Sequence, residues 1–401
     1  MKKLLLGLVL LVIGAAVAGG WFYLRAQTPY RGYEGSEQFV EIPPGASSFA
    51  IGERLVAGGV VRDLATYRLT LWLSGQGRRL KAGEYRFDRA MRPLDVIDKI
   101  ARGDAFVVTL TFPEGLTIAE MGKIFESHGL GPATAFVAAA QDAALVHDLD
   151  PAARNLEGYL FPETYAVPRT TDAPKLVRLM VGRFGHVFTQ ELRDAAAARQ
   201  LSVRQAVALA SIVEKETARA EERPLVAAVY VNRLRLRMPL QADSTVIFAI
   251  QQTGTYTGNL RRDDLMVDSP YNTYRYPGLP PGPIASPGRA SLNAAVHPAD
   301  SDALYFVSRN DGSHVFAKTL DEHNRNVQQY QVKYFRDLKA AKANGQEGQD
   351  KQEAQDGQEE KKAGGTGVAG RAGKSGQAGK VGRGGRAGRA GRAGRGGRKQ
   401  P

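Results

Sequence analysis

Glu214 closes a strongly apolar run, Ala206-Val207-Ala208-Leu209-Ala210-Ser211-Ile212-Val213. Ser202 suits a helix N-cap, and Gln205 three residues on completes a capping box. A helix is therefore expected from Val203 to about Arg219. At about 100° per residue with Val203 at zero, Val207 falls near ~+40°, Ala210 near ~−20° and Glu214 near ~+20°. Glu216 falls near ~−140° and Lys215 near ~+120°. Leu209 and Ile212 make the opposite flank apolar too, and a helix apolar almost all round is buried. Glu214 thus reads as a carboxyl at the inner end of a buried helix. Burial without a partner raises a carboxyl pKa. A rise from ~4.3 to ~6–7 costs roughly 2–4 kcal/mol and suits a group that donates a proton near neutral pH. The plainer alternative is a glutamate paired with Arg219, Arg233 or Arg235.

Other chemistries find no template. The chain has no cysteine, which excludes disulfides, thiol catalysis and cysteine-held metals. It contains no HExxH, Gx4GK[ST], GxSxG or helix-opening GxGxxG. The six histidines, His128, His147, His186, His297, His314 and His323, show no metal-ligand spacing. His297 and His323 read as loop residues in ordinary hydrogen bonds. Neither a metal nor a cofactor is expected.

Polar and aromatic residues crowd a few short segments: Glu157–Tyr165, Tyr271-Asn272-Thr273-Tyr274, and the loop Pro277–Pro283. Aromatic faces stack on sugar rings, while amides and carboxylates bond hydroxyls, so these segments suit a carbohydrate cleft. Ordinary loop chemistry explains any one of them alone.

The elements ahead of them are short. Val40-Glu41-Ile42 reads as a strand, Pro44-Gly45 as a turn and Phe49–Ala57 as a helix ending at Gly58-Gly59. The pattern recurs with a strand at Leu110-Thr111-Phe112, a turn at Pro113-Glu114-Gly115 and a helix over Ile118–Phe125 ending at Gly129. Leu80–Phe87 reads as a strand between them, and Pro93–Arg102 as a helix closed by Gly103. This unit holds no convergent titratable set and reads as a spacer, docking or sugar-polymer-binding module.

The two ends differ in kind from this middle. Leu4–Leu24 is 21 consecutive uncharged residues, enough to span ~30 Å of hydrocarbon as a helix. Lys2 and Lys3 precede it, and Trp21, Phe22 and Tyr23 mark an interfacial end. Ala16-Val17-Ala18 resembles a cleavage site, but the apolar run continues past it, which favours an uncleaved anchor with the remainder exported. Ten of the 54 Lys/Arg lie in residues 363–401 without any acid, so most of the +13 net charge of the 401-residue chain sits in a Gly/Arg-rich tail. That tail is expected to be disordered and to attract anionic polymers. It lacks the aromatics of a base-stacking platform. With 43% hydrophobic residues overall, the middle can form a core.

Ala208–Thr217 resembles the catalytic-helix motif of the endolytic murein transglycosylases, the YceG-like family. Matches continue in the family's order at Glu157–Tyr165, Val231-Asn232-Arg233-Leu234, Leu240-Gln241-Ala242-Asp243, Tyr271–Tyr274, Gly278–Ile284 and His297-Pro298. The similarity covers the anchor and residues 40–335. One departure is visible: Ser244 stands where the family usually has proline, which loosens φ and is expected to make the loop more mobile.

The resemblance implies an α+β fold: anchor 1–27, linker 28–39, a small LysM-like α/β module 40–140, a larger α+β catalytic domain 141–338, and the tail 339–401. It implies an inner-membrane, single-pass protein with the N-terminus cytoplasmic and the catalytic domain outside. The implied substrate is the peptidoglycan glycan strand, with synthases as partners. The implied reaction is cleavage of the β-1,4 bond between N-acetylmuramic acid and N-acetylglucosamine, leaving a 1,6-anhydro end. Glu214 matches the catalytic glutamate, acting first as acid and then as base on the C6 hydroxyl. Glu163, Thr164, Gln241, Asp243, Tyr271, Asn272, Thr273 and Tyr274 are the expected substrate-binding residues. Three rival readings are a muramidase using Asp243 or Glu163 as second carboxylate, a non-catalytic anchored binding module, and a nucleic-acid-binding protein acting through its tail.

Overall fold

The computed structural model describes residues 2–340; the expected disordered tail lies, from 341 on, outside the described residues. The chain begins with helix α1 (Lys2–Gln27), of which Leu6–Gln27 is long and apolar enough to cross a membrane. The segment expected as a linker is tied down: Tyr30 forms an antiparallel bridge with Met91, and the Gly32 N–H donates to Gly59 O at 2.8 Å.

A first core gathers around a two-stranded antiparallel sheet, β1 (Gln38–Ile42) with β2 (Gly83–Phe87). Helices α2 (Ser48–Ala57), α3 (Leu64–Ser74) and α4 (Pro93–Arg102) cover it. Val40, Ile42, Leu55, Tyr67, Tyr85, Phe87 and Ile97 fill the core. The sequence reading placed no helix over α3. Asp63 caps it by accepting the Thr66 N–H at 2.8 Å.

The second strand–helix unit does not share that core. Strand β3 (Val108–Thr111) pairs with β4 (Thr164–Val167), Thr111 opposite Thr164. Leu110 of β3, Phe112 just past it, and Met121, Phe125 and Phe136 from helices α5 (Ile118–Ser127) and α6 (Ala133–Ala139) belong to one apolar cluster with Leu156, Tyr159 and Phe184. The packing divide therefore falls near residues 105–108 rather than at 140, because β3 finds its partner strand downstream.

The larger core continues through α7 (Ala173–Val187), α8 (Gln190–Ala198), α9 (Val203–Glu216), α10 (Arg223–Arg235), α11 (Asp243–Gln252) and α12 (Arg289–Val296). A hairpin, β5 (Tyr305–Ser308) with β6 (His314–Ala317), and helix α13 (Leu320–Val327) follow. Helix α9 is the centre, packed against α8, α10, α11 and α12. Its capping box is present, with the Gln205 N–H donating to Ser202 Oγ at 3.2 Å and the Ser202 N–H to Gln205 Oε1 at 2.9 Å. Residues 206–213 are all buried. The helix ends at Glu216, short of the expected Arg219, because Thr217 is extended and its hydroxyl accepts the Arg219 N–H at 3.1 Å. The described elements make a mixed helix-and-strand fold, and Met1–Tyr334 cluster as one unit.

Candidate active site

The two glutamates at the end of α9 meet different surroundings. The Glu214 side chain is 5% exposed and committed. Its Oε1 lies 2.7 Å from Arg223 Nη2, and its Oε2 accepts the Gly288 N–H at 2.9 Å. The same Arg223 nitrogen lies 3.2 Å from Glu114 Oε2. Burial, and then the charge of Glu214, push the Glu114 carboxyl above the usual range. Glu214 thus has an arginine partner, and it is Arg223. Arg219, Arg233 and Arg235 bond elsewhere. Both carboxyl oxygens of Glu214 are thus already engaged by the protein itself.

Glu216 faces the opposite way, into an open cavity of about 280 Å³ lined by Tyr230, Arg233, Gln241, Asp243, Tyr274 and His323, with Leu240 and Phe306. Its Oε1 accepts a hydrogen bond from Ser244 Oγ at 2.8 Å. Enclosure of the carboxyl, with a smaller push from Asp243 and against the pull of the Ser244 bond, raises its pKa to about 7. Asp243 opens α11, and its Oδ1 accepts from the Tyr274 hydroxyl at 2.6 Å. Burial, and then that bond, push the Tyr274 hydroxyl up, so its proton stays in place between the two at neutral pH.

Arg233 frames one wall. It donates to Leu304 O at 2.7 Å and Leu240 O at 2.9 Å, and its guanidinium lies 5.1 Å from the Tyr305 ring centre. His323 stacks on Tyr305 with ring centres 5.2 Å apart. It lies in α13 rather than in a loop, and its buried Nδ1 has no hydrogen-bond partner among the described residues. Burial and then Arg233 hold its pKa below the usual imidazole value.

Of the residues expected around a cleft, Gln241, Asp243 and Tyr274 converge on Glu216. Asn272 and Thr273 stand behind them as struts. Buried Asn272 donates to Leu265 O and Val267 O at 3.0 and 2.8 Å, and Thr273 Oγ1 accepts the Ala242 N–H at 3.0 Å. Gln241 adopts φ +53° and donates its N–H to Thr273 O at 3.2 Å, which fixes the entry to α11. Tyr271 packs on Phe248 and lines a separate recess with Glu157, Arg204 and Pro283. Glu163 is paired with Arg183 at 2.5 Å, and Thr164 bonds Thr111 at 2.9 Å across the β3–β4 ladder. Neither lines the Glu216 cavity. The reading from sequence missed Glu216, Ser244, Tyr230 and His323. The available signal was that both glutamates of Glu214-Lys215-Glu216 lie on a buried helix, so either could meet a cleft.

Known proteins resemble this chain over most of its length. The model of the YceG-like family matches residues 40–329. An endolytic murein transglycosylase of Bacillus subtilis (strain 168) is 31% identical over 309 residues, covering 73% of this chain and 84% of the relative. One from Streptococcus pneumoniae serotype 2 is 30% identical over 350 residues, covering 78% of this chain and 62% of the relative. The crystal structure of a putative yceG-like protein from Listeria monocytogenes superposes with a TM-score of 0.50 at 31% identity, over 72% of this chain and 98% of that one. With most of its folded length matched by that one model and by relatives of the same kind, the chain belongs to the YceG-like family.

Proposed function

We propose that the chain is an endolytic murein transglycosylase whose proton donor is Glu216 rather than Glu214. The activity rests on the relatives that carry that name. The choice of carboxyl rests on one observation above the others: Glu216 faces the cavity with its pKa raised to about 7, beside Gln241, Asp243 and Tyr274.

Protonated Glu216 gives its proton to the glycosidic oxygen as the bond from muramic acid C1 breaks. The carboxylate so formed takes the proton of the C6 hydroxyl as that oxygen closes on C1. The product is a 1,6-anhydro ring, Glu216 is protonated again, and no water is consumed. One carboxyl acts twice, so a paired nucleophile is unnecessary. Gln241 presents amide donors to sugar hydroxyls, and the Tyr274 oxygen, its proton held by Asp243, accepts from them. Asp243, in the same cavity, keeps open a hydrolytic variant of the same site.

In this reading α1 is a retained anchor that puts the N-terminus in the cytoplasm and the active site outside the inner membrane. Residues 40–105 form the LysM-like, glycan-holding module. Synthases that extrude nascent strands are its natural partners, and the Gly/Arg tail holds the enzyme near anionic polymers. Deleting 363–401 would leave localisation unchanged at low and high salt if the tail had no such role.

Mass spectrometry of glycans released from purified peptidoglycan tests the reading. Wild type and Glu214→Gln are expected to yield anhydro ends, and Glu216→Gln none. Reducing ends would make the enzyme a hydrolase. Loss of activity confined to Glu214→Gln, with the fold intact, would return the catalytic role to Glu214.

A further inference from the structure

Helix α3 runs antiparallel to the end of α1. Its N-cap, Asp63, is ion-paired with Arg25 at 2.9 Å, and the Arg25 guanidinium lies 4.5 Å from the Trp21 ring centre. Further along, Leu69, Leu73 and Ser74 share an apolar groove with Gly19, Phe22 and Tyr23. Helix α3 therefore starts level with Arg25 and ends level with Gly19 and Phe22, on the side where α1 becomes wholly apolar. Leu94 at the start of α4 lines the same groove. Tyr30 bridged to Met91, and Arg92 bonded to Gln27 at 3.3 Å, hold the following chain against α4.

At that lower end the surface is apolar and exposed. Trp72 is 76% exposed and Leu73 67%, the only large apolar pair in α3 so open. Arg78 and Arg79 are exposed in the turn just beyond. Tryptophan beside a spanning helix, with arginines at its border, is the composition that suits the headgroup boundary of a bilayer. A tryptophan left in water there would forgo a large favourable burial.

We propose that the C-terminal end of α3 is a foot that rests in the lipid surface: Trp72 and Leu73 enter the headgroup boundary beside α1, and Arg78 and Arg79 meet anionic headgroups. The occupant is lipid rather than another protein because the patch is continuous with the membrane-facing surface of α1 and is bordered by positive charge. The first module is then held upright on the membrane at a fixed angle. This inference rests on reading α1 as a retained anchor.

The full chain with Trp21→Phe keeps Trp72 as its sole tryptophan, since the sequence has two. It would be reconstituted into vesicles of phosphatidylcholine alone or with phosphatidylglycerol. Trp72 is expected to emit at shorter wavelength than in detergent-free denaturant, to resist aqueous iodide, and to be quenched by lipids brominated near the headgroup. Arg78→Glu with Arg79→Glu is expected to weaken that lipid quenching only in the anionic vesicles. Trp72 open to iodide and untouched by brominated lipid overturns the proposal. Protection from iodide without lipid quenching means that protein covers the patch, and also overturns it. Intact mass separates the two levels of failure. A chain lacking α1 refutes the anchor reading itself, whereas a complete chain with solvent-exposed Trp72 refutes the foot alone.

Discussion

The hydroxyl of Ser244 lies 2.8 Å from Oε1 of Glu216 and donates into that carboxyl from the first turn of α11. Enclosure raises the Glu216 pKa, and this bond works against the rise by favouring the charged form. Asp243 adds negative charge nearby, while Tyr230, Tyr274, Arg233 and His323 complete the surroundings. A hydrogen bond to a carboxylate is worth about 1.5–3 kcal/mol, and one pKa unit is about 1.4 kcal/mol. Ser244→Ala should therefore move the alkaline limb of the activity profile upward by about one unit. Ser244→Pro should do the same, since the first turn of a helix tolerates proline. A limb that stays in place with both variants removes Ser244 from the proton inventory.

The wild-type profile has a definite sign. Glu216 must carry its proton to act as acid, so the rate should fall as pH rises through about 7. Glu216→Gln should lower the rate at least ~100-fold below pH 7, within the usual range for a lost general acid, and should abolish the limb at about 7. A variant that retains its rate would exclude Glu216 as the acid.

The triad behind the cavity predicts stability rather than rate. Arg223 is buried between Glu114 and Glu214. Arg223→Met leaves two carboxyls without their cation and should cost roughly 3–5 kcal/mol. Glu114 already has a raised pKa, so acid neutralises it readily. The loss should be smaller at pH 5 than at pH 8, as read from denaturant midpoints. Equal losses at both pH values would show that packing, not charge, is what the arginine supplies.

Glu157 makes a separate pH-dependent contribution. It is buried at the start of α5, accepts the Ile118 N–H at 3.2 Å, and has its pKa pushed up to about 8 by burial. The folded state holds this proton more tightly than the unfolded chain does. Stability from this group is therefore complete below the ordinary glutamate value and is lost as pH rises toward 8. Glu157→Gln removes the titration and should raise the melting temperature at pH 8 while changing it little at pH 4. Thermal unfolding at the two pH values decides it, and a shift of equal size at both would sink the assignment.

Much of the scaffold was legible because local rules act locally. Ser202 and Gln205 cap α9 as their spacing requires, and Gly59, Gly103 and Gly129 take positive φ just past their helices. Helix α3 was missed because Leu64–Ser74 carries apolar residues on its exposed side too, which blurs the period. The helical wheel placed Glu214 and Glu216 on opposite faces, and they do face opposite ways. The wheel does not say which of the two meets a cleft. On a helix buried all round, the apolar face marks the deepest packing, while the cavity opens on the polar side, bounded by residues from Tyr230 to His323. Arg223, which neutralises Glu214, is nine residues on and reaches it only because Thr217 breaks the helix. The expected loosening at Ser244 gave way to a specific bond, because its hydroxyl has Glu216 within reach.

The cavity draws its walls from Glu216 through His323, with Phe306 and His323 supplied by the last hairpin and helix. A chain made from its N-terminus has its apolar helix and first module complete long before that wall exists. Chains stopped ahead of Leu320 should release no glycan even when folded, which an activity assay on truncations would check. The order of synthesis thus acts as a safety catch: an enzyme able to cut the wall stays blunt until the stretch that carries His323 has been made.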